Sequence, residues 1–223
     1  MDELTMAVPK PMLDVAGRPL LEYKIDALSE SFDEVILIVR YLKEVIQTHF
    51  GGSYGGKRLT YIEQKELEGT AGALWSARYA LHDRFLVMMG DDIYHKDDVL
   101  RCIEPSENWR LLVQELPKMH RAGSVQLGED GNITDIIESS SEDEARIERG
   151  IASTNLYVLD TRLFECPLVP KHAGSLEYGL PQTVVAGSKK LGIPLEPVFT
   201  EKWIQITAPQ DLVWAAEMFK KLN

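Results

Sequence analysis

The sequence predicts an α/β protein built on a mainly parallel sheet, and three observations carry that prediction. Short β-branched or apolar runs at Glu34–Val39, Leu59–Glu63 and Phe85–Met89 alternate with segments of helical periodicity. The first and third runs are almost continuously apolar, as in strands covered on both faces. No linker, internal repeat or low-complexity tract interrupts the 223 residues, so a single domain is expected.

The elements follow in order. Pro19 stands at a helix start, with Leu21, Ile25 and Leu28 at i, i+4, i+7 behind it. A second helix spans Leu42 to Phe50 and stops at Gly51-Gly52; a third begins near Thr70 with Leu74, Ala77 and Leu81 on one face. Right-handed crossovers between such units place the loops after the strands along one edge, where open α/β sheets bind ligands. From about residue 110 the texture changes. Strands are expected at Arg110–Glu115, Gly123–Leu127, Ile133–Glu138 and Ile151–Leu159, with Glu129-Asp130-Gly131-Asn132 as a hairpin turn. The acidic stretch from Ser139 to Glu148 is expected to be an exposed loop. A helix from Pro181 to Lys190 and a strand from Ile193 to Phe199 come next. The closing helix starts at Pro209 and is expected to bury Leu212, Ala216 and Phe219. This second part is expected to extend the same sheet.

Composition narrows the function. With 44% hydrophobic and 26% charged residues the chain is a globular one. Lys and Arg number 24 against 35 Asp and Glu, a formal net charge of -11. Such a surface repels a phosphate backbone, so no nucleic-acid partner is expected. A small phosphorylated ligand stays compatible, since it needs only one local cation. Cys102 and Cys166 fall in no metal-ligand spacing and are expected to be reduced thiols of a cytoplasmic protein. No apolar run approaches the roughly 18 residues that cross a bilayer, and MDELTMAVPKPM lacks the order of a secretory signal. No membrane partner is expected. Self-association stays open.

Four clusters carry chemistry. In Val8-Pro9-Lys10-Pro11-Met12 two prolines restrict the backbone around a lysine, a pre-set ammonium that suits a phosphate; a plain surface loop is the other reading. The run from Gln64 to Ala73 follows a strand and opens a helix. Its Gly69 and Gly72 admit a ligand close to the backbone, the first-turn N–H groups favour anions, and the Gln64 amide suits a base edge. Its alternative is a tight turn ahead of an Ala-rich packing helix. Gly90-Asp91-Asp92 either offers oxygen ligands to a hard cation or forms a solvated turn capping the next helix. Trp203-Ile204-Gln205-Ile206-Thr207-Ala208-Pro209 is a short strand entering the last helix. Ser/His/Asp or Cys/His sets with a readable spacing are absent, so nothing requires covalent catalysis.

Together and in this order, PKPMLDVAGRPLLEY, EVILIV, YIEQKELEGTAGAL, FLVMMGDD, the Gly123 strand, LYVLD and WIQITAPQDL resemble the sugar-phosphate nucleotidyltransferase family. The resemblance spans the whole chain, densely in the first half and loosely in the second. It implies a Rossmann-like three-layer sandwich of the glycosyltransferase-A-like kind, with residues 1–109 binding nucleotide and 110–223 binding sugar. It implies Mg²⁺-dependent transfer of a nucleoside monophosphate from a nucleoside triphosphate to a sugar 1-phosphate, with release of pyrophosphate. Carried over by position, Lys10 is the phosphate-contacting lysine and Asp91 the principal Mg²⁺ ligand. Gln64 and Gly69 are the base-reading pair, and Thr70 beside them is a further nucleotide-binding residue. Gly123, Glu138 and Ser153-Thr154-Asn155 fall where the family holds the sugar.

The pattern is broken in three places. Family members open with a strand and a G-x-G-x-R loop before the PKP motif, so Met1 is expected to be an internal methionine. Gln205 stands where many members carry a second metal-binding Asp, and a neutral amide oxygen coordinates more weakly. Glu138-Ser139-Ser140 replaces the usual Glu-Lys-Pro, removing a cation from the sugar-phosphate side. These departures leave room for two other readings: a nucleotide-binding regulatory relative without turnover, and a cytidylyltransferase acting on a phospho-alcohol such as phosphocholine.

Overall fold

The computed structural model describes residues 8–66, 68–117, 123–138 and 149–222. The acidic stretch expected as a loop at 139–148 lies outside them. The chain divides into two compact units, each assembled from separate stretches. The first comprises the described parts of Met1–Glu63, Met89–Leu100 and Lys202–Asn223, the second those of Gln64–Met88 and Arg101–Glu201.

In the first unit, Asp14–Val15 (β1) and Arg18–Pro19 (β2) form a tight hairpin. Its two turn residues, Ala16 and Gly17, take φ of 54° and 87°, the handedness that a two-residue hairpin requires. Helix α1, Leu20–Ala27, starts directly after Pro19. Glu34–Val39 (β3) pairs parallel with Lys57–Glu63 (β5), which pairs antiparallel with Ser53–Tyr54 (β4). Helix α2, Lys43–Phe50, ends on Gly51 at φ 61° and ψ -143°, a positive-φ stop of the kind glycine adopts without strain.

Two apolar clusters flank α1. Leu20 enters one with Leu13, Val15, Ile93, Ile204, Ile206 and Ala215. Leu21 and Ile25 enter the other with Val39, Ile46, Phe50 and Leu59. Residues one apart on a helix point about 100° away from each other, so a single short helix serves both.

The second unit holds a sheet of order β10-β9-β11-β8-β12, with β6 also pairing to β11. Its strands are Arg84–Val87 (β6), Trp109–Leu116 (β8), Ser124–Leu127 (β9), Ile133–Ile137 (β10), Gly150–Asp160 (β11) and Leu195–Thr200 (β12). Helix α3, Gly69–Ser76, and the later helix Leu180–Leu191 belong to this unit, and they pack on each other.

Four expectations are corrected. Among the described residues β3–β5 and β8–β12 pair in parallel and the other ladders are antiparallel, so the sheets are mixed and mainly antiparallel. The long β11 runs against β6, β8 and β9 alike, and that one strand reverses the balance. The run Glu34–Val39 is half-exposed except at Val39, because β5 is its one ladder partner among the described residues. Helix α3 stops at Ser76, so Leu81 lies beyond it; the Ala77 amide closes the last turn on Leu74 and Trp75. Among the described side chains of the last helix Ala215 is fully buried, with Leu212 and Ala216 packed at the edge, while the Phe219 side chain lies outside the described atoms.

Trp109 at the start of β8 is fully buried, and its indole N–H donates to Asp160 Oδ2 at 2.8 Å. Burial pushes the Asp160 carboxyl up, but Arg162 and the Trp109 N–H outweigh it and hold it below the usual carboxylate range. Its contribution is therefore complete above the unfolded value of about 4 and is lost as pH falls through the lower folded value. Asp160→Ala strands a buried N–H and should cost roughly 1–3 kcal/mol in urea unfolding at pH 7. The gap to wild type should narrow on acidification below about pH 4; a gap that stays constant removes Asp160 as its cause.

Candidate active site

In the first unit the site begins at Pro9-Lys10-Pro11. Pro9 sits at φ -65° and ψ 145°, and Lys10–Met12 forms one 3₁₀ turn closed by the Met12 amide on the Pro9 carbonyl at 2.7 Å. The Pro11 ring rests on Gly90, where a Cβ would come within 3.1 Å of its Cγ. This seat brings Lys10 Nζ to 2.6 Å from Asp91 Oδ2, and both side chains stay partly open to solvent.

Asp92 turns the other way. It opens Asp92–Ile93 (β7), which pairs antiparallel with Ile204–Gln205 (β13) so that Gln205 lies opposite Asp92. Only 4% of Asp92 is exposed, which excludes the solvated-turn reading for that residue. Lys24 of α1 is equally buried, and its ammonium has no hydrogen-bond partner among the described residues. Burial holds Lys24 below the usual lysine range against the pull of Asp92 and Asp91. Burial and then the neighbouring Asp91 push the Asp92 carboxyl up, with Lys24 opposing. Two adjacent acids are thus divided between two lysines, one outside and one inside.

The approach to the last helix, Pro209–Leu222, is fixed by Asp211. Its Oδ2 accepts from the amides of Thr207 and Ala208 and from the Thr207 hydroxyl at 2.7–3.0 Å, which anchors the end of the Gln205 strand.

In the second unit, Gln64 Nε2 donates to the Gly69 carbonyl at 3.3 Å. Gly69 takes φ 76°, and a Cβ there would meet the Tyr178 carbonyl at 2.5 Å. The Ala71 amide donates to that same carbonyl at 3.1 Å, while the Tyr178 amide donates to Glu68 O at 2.8 Å. Thr70 Oγ1 accepts from the Leu180 amide at 2.9 Å. The expectation of first-turn N–H groups open to an anion is therefore corrected at Ala71: the Tyr178 main chain holds that N–H and fills the space beside Gly69.

The residues expected around the sugar meet where β9, β10 and β11 adjoin. The Ser153 amide donates to Gly123 O at 2.8 Å, and a Cβ on Gly123 would touch Ile136, Ser153 and Glu138. Asn155 takes φ 57° where the β11–β8 register slips between Ser153 and Tyr157. There the Asn155 amide donates to Ser153 Oγ at 3.2 Å, and its Oδ1 accepts from Tyr157 OH at 3.4 Å. Thr154 stands apart. It is fully buried and donates to Leu112 O at 2.8 Å, a strand-to-strand tie. Glu138 is exposed and accepts from Gln182 Nε2 at 3.1 Å.

Sequence reasoning missed Lys24, Tyr178 and Gln182. Lys24 had a signal, a charge among the apolar neighbours Leu20, Leu21, Ile25 and Ala27 of a short helix. The other two act across long sequence separations and had none.

The nucleotidyl transferase family model matches residues 1–216. The chain belongs to that family. It is 28% identical over 218 residues to the bifunctional protein GlmU of Methanococcus vannielii, an overlap of 96% of this chain and 50% of that relative. It is 31% identical over 182 residues to the UTP–glucose-1-phosphate uridylyltransferase AglF of Haloferax volcanii, covering 78% of this chain and 73% of that one. The chain spans about half the length of the GlmU relatives it matches. In fold it is similar to a UDP-glucose pyrophosphorylase solved with UDP-glucose, at TM-score 0.79 and 17% identity over 97% of this chain and 92% of that one. A mixed α/β nucleotidyltransferase fold is thereby established for it.

The Lys24–Asp92 arrangement makes a stability prediction. Lys24→Met leaves a buried carboxylate without a countercharge and should cost about 3–5 kcal/mol in denaturant unfolding. Lys24→Met with Asp92→Asn should recover most of that loss. Additive costs would show that the two groups do not pair.

Proposed function

We propose that the chain transfers a nucleoside monophosphate from a nucleoside triphosphate to a sugar 1-phosphate. An oxygen of the sugar phosphate attacks the α-phosphorus, the bond to the β-phosphate oxygen breaks, and pyrophosphate leaves. The single observation that carries this reading is the Lys10–Asp91 contact at 2.6 Å, a proline-held ammonium against a partly exposed carboxylate within one family fold.

In this proposal Lys10 offsets charge on the triphosphate oxygens, and its flanking prolines keep the ammonium in place before substrate arrives. Asp91 is the principal ligand of a divalent cation, Mg²⁺, with the Gln205 amide oxygen as a weaker second. The donor chemistry fits that ion, while the β7–β13 register sets Gln205 opposite Asp92, the neighbour of Asp91. Asp91 and Gln205 offer hard oxygens, and no group of three or more acidic, His or Cys side chains builds a protein cage among the described residues. Mg²⁺ characteristically takes one or two protein oxygens and leaves its other positions to phosphates and water. When bound, the ion would neutralise and polarise phosphate oxygens.

In the second unit Gln64 faces the base. One of its N–H groups is committed to Gly69, which leaves the amide oxygen and the other N–H for reading a base edge. Gly69 and Thr70 hold the shape of that turn through the Tyr178–Leu180 main chain. Gly123, Glu138, Ser153 and Asn155 take the sugar, and Thr154 ties their strand to the core. Residues 1–109 then serve the nucleotide and 110–223 the sugar within one functional domain. Among the described residues no helix is long and apolar enough to cross a membrane. Cys102 and Cys166 are both buried, and the cytoplasm is the compartment this reading assigns to the chain.

The test is pyrophosphate release across a panel of nucleoside triphosphates and acceptors, starting with UTP and glucose 1-phosphate and including phosphocholine. Turnover should need a divalent cation and stop on chelation. Asp91→Asn should lower the rate on the order of 10²-fold or more, as when a main electrostatic stabiliser is removed. An unchanged rate would take Asp91 out of the metal site, and binding without turnover would favour a regulatory role.

A further inference from the structure

A short segment, Tyr178 to Gln182, touches both parts of the second unit's polar set. Tyr178 pairs its main chain with Glu68 and Ala71 around Gly69, and the Leu180 amide donates to Thr70. Two residues on, Gln182 lies in the first turn of the helix Leu180–Leu191, which packs on β10. Its side chain curls back over Gly179, where a Cβ would collide with the amide. From that seat Nε2 donates to Glu138 Oε2 at 3.1 Å. Its Oε1 is buried and has no hydrogen-bond partner among the described residues. An amide that leaves its own acceptor unsatisfied while its donor holds a solvent-facing carboxylate is not explained by packing.

We infer that Gln182 is a positioning residue for the acceptor sugar: seated on Gly179, its amide aims the Glu138 carboxylate at the sugar hydroxyls. This rests on the reading of Glu138 given under the proposed function. The neutral amide suits the task. Glu138 has four lone-pair positions, and one N–H orients it while the others stay available to ligand hydroxyls. A lysine or arginine in place of Gln182 would neutralise the carboxylate as well as orient it. Gly179 is part of the device, since any side chain there displaces the amide.

The experiment is steady-state pyrophosphate release with UTP and glucose 1-phosphate varied separately, or with the sugar 1-phosphate that the acceptor panel selects. Gln182→Leu should raise KM for the sugar 1-phosphate roughly tenfold, as expected for a lost hydrogen bond to a charged group, and leave KM for the triphosphate within about twofold. Glu138→Ala should raise the sugar KM at least as much, and adding Gln182→Leu to it should change nothing further. Gln182→Glu is nearly isosteric, so a packing role would leave it like wild type. The inference instead expects it to be worse than Gln182→Leu, because two carboxylates would face each other. Equal rises in both KM values, a wild-type-like Gln182→Glu, or full additivity with Glu138→Ala would each overturn the inference. If Glu138→Ala weakens the sugar while Gln182→Leu does not, this inference alone falls. If Glu138→Ala leaves the sugar KM unchanged, or wild type turns over no acceptor, the reading of Glu138 falls and takes it along.

Discussion

Two consecutive aspartates at the end of an apolar stretch are an electrostatic problem, and the first unit is organised around its solution. Asp91 points outward to the ammonium of Lys10, and Asp92 points inward where Lys24 is buried. Neither arrangement is local. Lys10 arrives because Pro11 rests on Gly90, and Lys24 arrives because α1 packs on the Asp92–Ile93 strand. The pairing of β7 with β13 then sets Gln205 opposite Asp92, and Asp211 ties the far end of that strand to the last helix. Removing the Lys24 charge on the inside would leave the buried Asp92 unbalanced directly beside Asp91.

The second unit solves a different problem with main chain instead of charge. Its polar residues sit at irregularities: Gly69 at positive φ, Asn155 at positive φ within a strand, and Gly123 beside the β11 bulge. Each irregularity is held by hydrogen bonds, from the distant Tyr178 and Leu180 in one case and from the strand neighbours Ser153 and Tyr157 in another. Strained or bulged backbone persists only where its surroundings over-determine it. The site residues here are held in that way.

These two modes explain what was legible in the sequence. Periodicity is a local property, and it located Glu34–Val39, the helix ending at Phe50 and the hairpin turn at Asp130 with small boundary errors. Ladder direction is not local. The antiparallel course of β11 depends on β6 and β8, tens of residues away, and no pattern within Gly150–Asp160 announces it. Helix α3 fell short for the same reason, because apolar spacing continues through Leu81 although the helix ends at Ser76. For the candidate site, residue types in order offered Lys10, Asp91, Gln64 and Glu138 as candidates. Orientation was not readable. Ser153, Thr154 and Asn155 look alike as a polar triplet, yet Thr154 ties β11 to β8 while its two neighbours bond to each other across the bulge. Gly69 reads equally well as room for a ligand or as a tight turn ahead of a packing helix, and only the fold brings the Tyr178 main chain against it.

The net charge of -11 sharpens the question of how such a chain would hold a triphosphate. At the Asp91 corner the two acids and two lysines sum to zero, whether the buried Lys24–Asp92 pair is ionised or has shared its proton. Lys10 alone cannot make that corner attractive while Asp91 neutralises it at 2.6 Å. A divalent cation competing for the same Asp91 oxygen would free the Lys10 ammonium and bring two further positive charges to the corner. An acidic protein could then be locally cationic only when loaded, and the dependence on metal would reach into substrate binding as well as chemistry. The cost of that economy is a second carboxylate, Asp92, directly behind Asp91, and the buried Lys24 opposes the charge of that inner acid.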